Sequence, residues 1–404
     1  MAKSPSTPKK HTTVTSGATD TVAASEARTA LEELTQSYSF QKIEQLVEEG
    51  ASAIWGGMSW EAPLLYACDT IPIGIGELWR EESREAEAIG ENHFQVPAEY
   101  CSMIKAMIGR LHLRKNEKIK RILYFGSTCE PISNVLELAK GDGYETYCIE
   151  NVTSFKEEDK RPEVVKFLAD ELQKVAIWLT GKPVDEERLK FEIKRKNFIS
   201  RKINRILELR LKSPFYLTSI PTLQILMGTN HNYGNPEEFI RVLDLLIEEL
   251  EFAIPETRPY IPLVLAGGAA GGGGILKVIE ESNAAILGWV IAGTEFYPED
   301  IPPLEAMAHY VLDAQSRGEL GEGAGTSATY RRFHIERLYK STGARGIITS
   351  AITGCPYGSV VQQTERDYFK EQGIPIISLE SSVHKERPTE EQVMRVKTFV
   401  EMLS

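Results

Sequence analysis

The sequence predicts an α/β protein: two Rossmann-like open parallel-sheet domains behind an N-terminal helical segment. Three observations carry this. Short apolar runs that end in glycine or alanine, at 121–126, 263–266 and 346–351, alternate with amphipathic stretches at helical spacing. Strand, helix, strand in that order is the βαβ unit of an open sheet. The alternation breaks at the proline-containing stretch 253–262 and then restarts, so the second half echoes the first. A length of 404 residues also suits more than one core.

The elements follow in order. Residues 1–25 are Ser, Thr, Pro, Lys and Ala with almost no large apolar group, and we expect a disordered tail. Residues 26–90 form the N-terminal segment. Within it Ala30, Leu31, Leu34, Tyr38, Ile43, Leu46 and Val47 recur at helical spacing over 26–49, and 60–68 reads as a short helix. Residues 70–76 read as an edge or turn-bound strand, because Pro72 removes a ladder donor. The first α/β domain, 91–254, takes a helix over 97–111 that starts at a proline. It continues with a strand at 121–126, a helix at 131–139 and a strand at 144–149, followed by a helical insertion at 161–179, 187–211 and 236–252. In the second domain, 255–404, strands are expected at 263–266, 284–291, 346–351 and 374–380. Helices are expected at 274–282, 303–313, 327–341, 360–372 and 389–403.

The formal net charge is −12, from 58 acidic and 46 basic residues, which argues against a nucleic-acid partner. No window offers 18 uncharged apolar residues, so no membrane span is expected. Lys9, Lys10 and His11 precede Thr and Ser, not an apolar run, which argues against a secretory signal and for the cytoplasm.

Five cysteines are too few and too scattered for a disulfide framework, and none forms a C-x-x-C pair. Cys129, in Gly-Ser-Thr-Cys-Glu-Pro, and Cys355, in Thr-Gly-Cys-Pro-Tyr-Gly, each lie just past an expected strand, where open sheets gather ligands. Cys101, in Glu-Tyr-Cys-Ser-Met-Ile-Lys, opens a helix whose amides favour thiolate. Singly, each is readable as a core cysteine beside a turn. As a set they suit a [4Fe–4S] cube with one iron left without a cysteine. Structural zinc would call for closer spacing or a clear fourth ligand, and cysteine-based acyl transfer for a marked histidine. Cys68 and Cys148 read as packing residues.

These sites, together with Glu61-Ala-Pro-Leu-Leu-Tyr-Ala-Cys-Asp-Thr-Ile-Pro-Ile-Gly and Gly373-Ile-Pro-Ile-Ile-Ser-Leu-Glu, resemble the 2-hydroxyacyl-CoA dehydratase and benzoyl-CoA reductase subunit family over most of the chain beyond about residue 30. The resemblance implies an oxygen-sensitive iron–sulfur enzyme component with an acyl-CoA substrate. Its partners would be a homologous iron–sulfur subunit and a separate ATP-hydrolysing iron–sulfur activator. A dehydratase of this kind loses water from a 2-hydroxyacyl-CoA through a ketyl radical after one-electron activation; a reductase delivers electrons into an aromatic acyl-CoA. A non-enzymatic electron relay and a cluster-free binding subunit are further alternatives. By position, Ser59 and Glu77 resemble substrate-facing residues, Ser59 for the thioester oxygen and Glu77 as acid or base; the plainer alternatives are a helix N-cap and a solvated carboxylate. The glycine-rich loop 267–274 matches no dinucleotide or P-loop fingerprint. Gly273 and Gly274 at its end are candidates for a CoA pyrophosphate contact, a tight connection being the alternative. Arg331, Arg332 and Arg337 read as a basic patch, for CoA phosphates, a partner or simple solvation.

Overall fold

Period-two burial builds the first sheet. Ile54, Leu123, Phe125 and Ile149 point to one face, and Trp55, Ile122 and Tyr124 to the other, so both faces need covering and both are covered by helices. The computed structural model describes residues 25–56, 60–74, 83–126, 129–150, 160–267, 273–290, 294–317, 328–383 and 387–404.

The chain opens with α1 (Glu26–Ser37) and α2 (Phe40–Glu48), separated where Ser39 caps the second helix; the single helical run expected over 26–49 is therefore two. It then enters β1 (Ser52–Gly56), α3 (Ala62–Ala67) and β2 (Thr70–Gly74). Next come α4 (Ser83–Asn92), α5 (Ser102–Leu113), β3 (Arg121–Phe125), α6 (Glu130–Lys140) and β4 (Glu145–Ile149). The helical insertion is α7 (Arg161–Thr180), α8 (Glu186–Arg210), α9 (Ser219–Gly228) and α10 (Pro236–Glu251). The second half runs β5 (Ile261–Ala266), α11 (Gly273–Glu281), β6 (Ala284–Val290), α12 (Pro303–Arg317), α13 (Ala328–Ser341), β7 (Gly346–Ile352), α14 (Pro356–Glu371), β8 (Ile376–Ser381) and α15 (Glu390–Leu403).

Two four-stranded parallel sheets result, ordered β2-β1-β3-β4 and β6-β5-β7-β8. Counted within each half, the order is the same: second, first, third, fourth strand. Pro72 sits on edge strand β2, as its missing donor requires. The segment 26–90 is helical at its start, but it also supplies two of the first sheet's strands. The strand Ser52–Gly56 and the helices Ser83–Asn92 and Ser219–Gly228 were not expected from the sequence. The expected tail lies outside the described residues, except for Ser25, which caps α1.

The two halves share their cores. Ala27, Leu31 and Leu34 of α1, packed on α10 and α9, belong to one buried cluster with α8, β5 and α15. Met307 and Tyr310 of α12 pack in turn beneath the first sheet. Arg331, part of the expected basic patch, instead turns inward and pairs with buried Glu365, 2.6 Å away, whose other oxygen accepts from Thr349. Two features allow quantitative tests. Helices α4 and α5 cross so closely at Gly109 that a Cβ there would penetrate the Ala86 carbonyl oxygen. Gly109→Ala is expected to lower stability by about 2–3 kcal/mol, read by urea unfolding. Lys196 is fully buried on α8 with its ammonium on the Thr229 carbonyl at 2.8 Å, and burial brings its pKa down to about 7. The unfolded chain binds that proton up to about pH 10, so folding stability rises with pH between these values. Lys196→Met should therefore stabilise the protein by on the order of 3 kcal/mol at pH 7, with the gain shrinking towards pH 10.

Candidate metal centre

Each of the three singled-out cysteines occupies the same local position, the residue immediately before a helix. Cys101 is the N-cap of α5, Cys129 of α6 and Cys355 of α14. The helix expected over 97–111 thus begins at Ser102, five residues after Pro97. The helix expected from Val360 begins at Pro356, directly against Cys355. Proline stands in the first turn of α6 and of α14, where its missing N–H costs no intrahelical bond, and in α14 the Gly358 amide reaches the Cys355 sulfur.

Cys129 follows the third strand of the first sheet and Cys355 the third strand of the second. Both thus flank the point where strand order reverses, the crevice in which open sheets bind ligands. Cys101 arrives from a different direction, on the 97–101 loop between α4 and α5. What brings it there is a backbone junction. Ser102 N donates to the Thr353 carbonyl at 3.1 Å, and Val383 N donates to Ser102 Oγ at 3.1 Å. Gly354 lies in the left-handed region at φ +77°, and a Cβ on it would sit 2.6 Å from both the Glu99 and Tyr100 carbonyl oxygens. Only a residue without a side chain lets the two loops meet.

Across this junction Cys101 and Cys355 come together at one buried apolar cluster. The neighbouring Cys101 thiol, helped by the Gly358 and Tyr357 amides and opposed by burial, brings Cys355 down to about 6, while Cys355 and burial push Cys101 up. Gly358 N donates to Cys355 Sγ at 3.3 Å, the amide-to-sulfur bond that a helix N-terminus offers. Cys129 is raised by burial, partly countered by the Ile132 amide, and lies within electrostatic reach of Cys355. Cys101 is buried in one apolar cluster with Ile104, Met107 and Ile132, and Cys129, Cys355 and Cys148 pack against that same cluster. Cys68 is buried elsewhere, against the first sheet's opposite face.

Among the described residues no three His, Cys, Asp or Glu side chains crowd closely enough to hold a single metal ion. A cube is the better fit to this donor set. Its irons are separate, three thiolates would reach three of them, and an all-thiol set suits iron–sulfur chemistry. Gly273 and Gly274 begin α11 at the carboxyl end of β5, in the second sheet's equivalent crevice. Ser59 and Glu77 lie outside the described residues. The sequence reading missed the part played by Gly354; its signal was a glycine between a β-branched strand end and a Cys-Pro helix start.

The family model described as 2-hydroxyglutaryl-CoA dehydratase, D-component, matches residues 60–403. The chain belongs to that family. The match takes in the three cysteines, Ser102, Gly354 and the loop before α11, and leaves out α1, α2 and β1. No curated protein matches the chain. A D-component is, by its description, one part of a dehydratase of several components. Among the described residues no helix is long and apolar enough to cross a membrane. Because Gly354 is the contact point of the two cysteine loops, Gly354→Ala should cost about 2–3 kcal/mol in urea unfolding, from left-handed strain plus the two carbonyl clashes.

Proposed function

We propose that this D-component family member is a [4Fe–4S]-carrying subunit of a 2-hydroxyacyl-CoA dehydratase, acting in the cytoplasm to convert an (R)-2-hydroxyacyl-CoA into the 2-enoyl-CoA and water. The observation that supports this best is the convergence of Cys101, Cys129 and Cys355, each at a helix N-terminus, beside the strand-reversal crevices of two parallel sheets. On this reading the three cysteines would hold the cluster and leave one iron without a protein thiolate. The cluster, when bound, supplies a low-potential electron and a Lewis-acidic iron for the substrate hydroxyl.

The protein's own contributions follow from its groups. The α5, α6 and α14 amides lower the cost of anionic sulfur. Ile104, Met107 and Ile132 line the cysteines with hydrocarbon, which keeps water from a reactive radical. Ser59 would donate to the thioester oxygen, and Glu77 would hold or release the proton that leaves with the hydroxyl. The first amides of α11, at Gly273 and Gly274, would face the CoA pyrophosphate. A homologous iron–sulfur subunit would complete the enzyme. The electron would come from a separate ATP-hydrolysing iron–sulfur activator, since this sequence has no P-loop.

The test is anaerobic. Wild-type protein should contain about four irons and four sulfides per chain, and Cys129→Ser should lose most of both. With partner and activator present, a 2-hydroxyacyl-CoA should yield the enoyl-CoA. Iron-free protein, or an unchanged iron content in the variant, would remove the cluster from the account; a dienoyl-CoA from an aromatic acyl-CoA, with no dehydration, would replace the dehydratase by a reductase.

A further inference from the structure

Cys101 is the cysteine with the least local support. It follows no strand, its side chain makes no capping bond, and it sits at the end of a loop. Yet it is 5% exposed, in the cluster against which Cys355 packs. Something must hold the 97–101 loop from its own side, and the best-placed group is Lys105. One helical turn beyond Cys101, its backbone N–H donates to the Cys101 carbonyl at 3.1 Å. Its ammonium is buried, pairs with Glu91 Oε1 of α4 at 2.7 Å and donates to the Ala98 carbonyl. Ala98 lies in the loop itself, just before Glu99 and Tyr100, whose carbonyls touch Gly354. A buried ammonium persists only where such partners fix it. Helix α4 cannot drift away, because Gly90 brings its backbone against the Lys105 carbonyl, where a Cβ would stand 2.6 Å from the oxygen.

We infer that Lys105, oriented by Glu91, is a positioning residue for Cys101: it ties down the Ala98 carbonyl, so that the loop presents the Cys101 sulfur to Cys355. The junction is then clamped from two sides. Thr353 and Val383 hold Ser102 from the second half; Lys105 and Glu91 hold Ala98 from the first. Lys105 itself touches neither sulfur.

The inference bears on the cluster reading of the same site, but it is tested first without metal. In metal-free protein, iodoacetamide labelling of Cys101 and Cys68 is followed by mass spectrometry in wild type, Lys105→Met and Glu91→Gln. Cys68 is the control, being buried in a different cluster. Lys105→Met should label Cys101 about tenfold faster, the scale of a local opening freed of a charged hydrogen bond, with Cys68 unchanged. Glu91→Gln, whose partner carboxylate is partly exposed, should give a smaller rise, and it decides the matter if Lys105→Met does not fold. In iron-loaded protein, Lys105→Met should also alter the electron paramagnetic resonance line shape of the reduced centre. Equal acceleration at both cysteines would mean general destabilisation, and no acceleration at Cys101 would mean no clamp; either overturns the inference. Iron-free wild-type protein would defeat the cluster reading, while the labelling would still judge Lys105.

Discussion

One backbone hydrogen bond organises this molecule: the Ser102 amide on the Thr353 carbonyl, made possible by the absent side chain at Gly354. It joins a loop of the first half to the strand end of the second. Without that junction, Cys101 and Cys355 would belong to separate structures. Because of it, cysteines separated by more than half the chain meet at one buried cluster. The cores on either side interlock as well, with α1 in the buried cluster that takes in β5 and α15, and α12 in the cluster under the first sheet. Sliding one sheet against the other would therefore disturb apolar packing together with the cysteine geometry.

The repeated strand order gives the arrangement its logic. Each half carries the same second-first-third-fourth sheet, and each places a cysteine after its third strand, at the start of a proline-bearing helix. Cys129 and Cys355 are thus equivalent by topology, and Cys101 is the extra donor that breaks the equivalence. On the proposed reading, two equivalent donors and one additional donor would place three thiols on a centre with four metal positions, leaving one for something other than protein. The chain's membership of the D-component family agrees with a dehydratase component.

Much of this was legible in the sequence, for physical reasons. Buried parallel strands announce themselves as short apolar runs, so β3, β5, β7 and their helices were found. The resemblance and the strand-end positions together singled out Cys101, Cys129 and Cys355. Other elements gave weaker signals. The strand at Ser52–Gly56 is only five residues long and begins exposed, so neither alternation nor a continuous apolar run marks it. The start of α5 was misplaced because Pro97 satisfies the rule for a first helical turn, whereas tertiary contacts at Ala98, Glu99 and Tyr100 hold that stretch out of the helix. The roles of Lys105 and Gly354 depend on partners far away or out of register, which no local pattern encodes. Arg331 looked like surface charge because its partner, Glu365, is distant in sequence.

The central claim is that three cysteines from both halves bind a single inorganic centre with one position free of thiolate. Mössbauer spectroscopy of anaerobically prepared, iron-57-enriched protein addresses it most directly, before and after adding a 2-hydroxyacyl-CoA. A [4Fe–4S] signature in which one iron subsite shifts on substrate addition, while the rest stay unchanged, is what the account predicts. A spectrum with no cluster iron, or a cluster whose subsites are all equivalent and unmoved by the acyl-CoA, would contradict it.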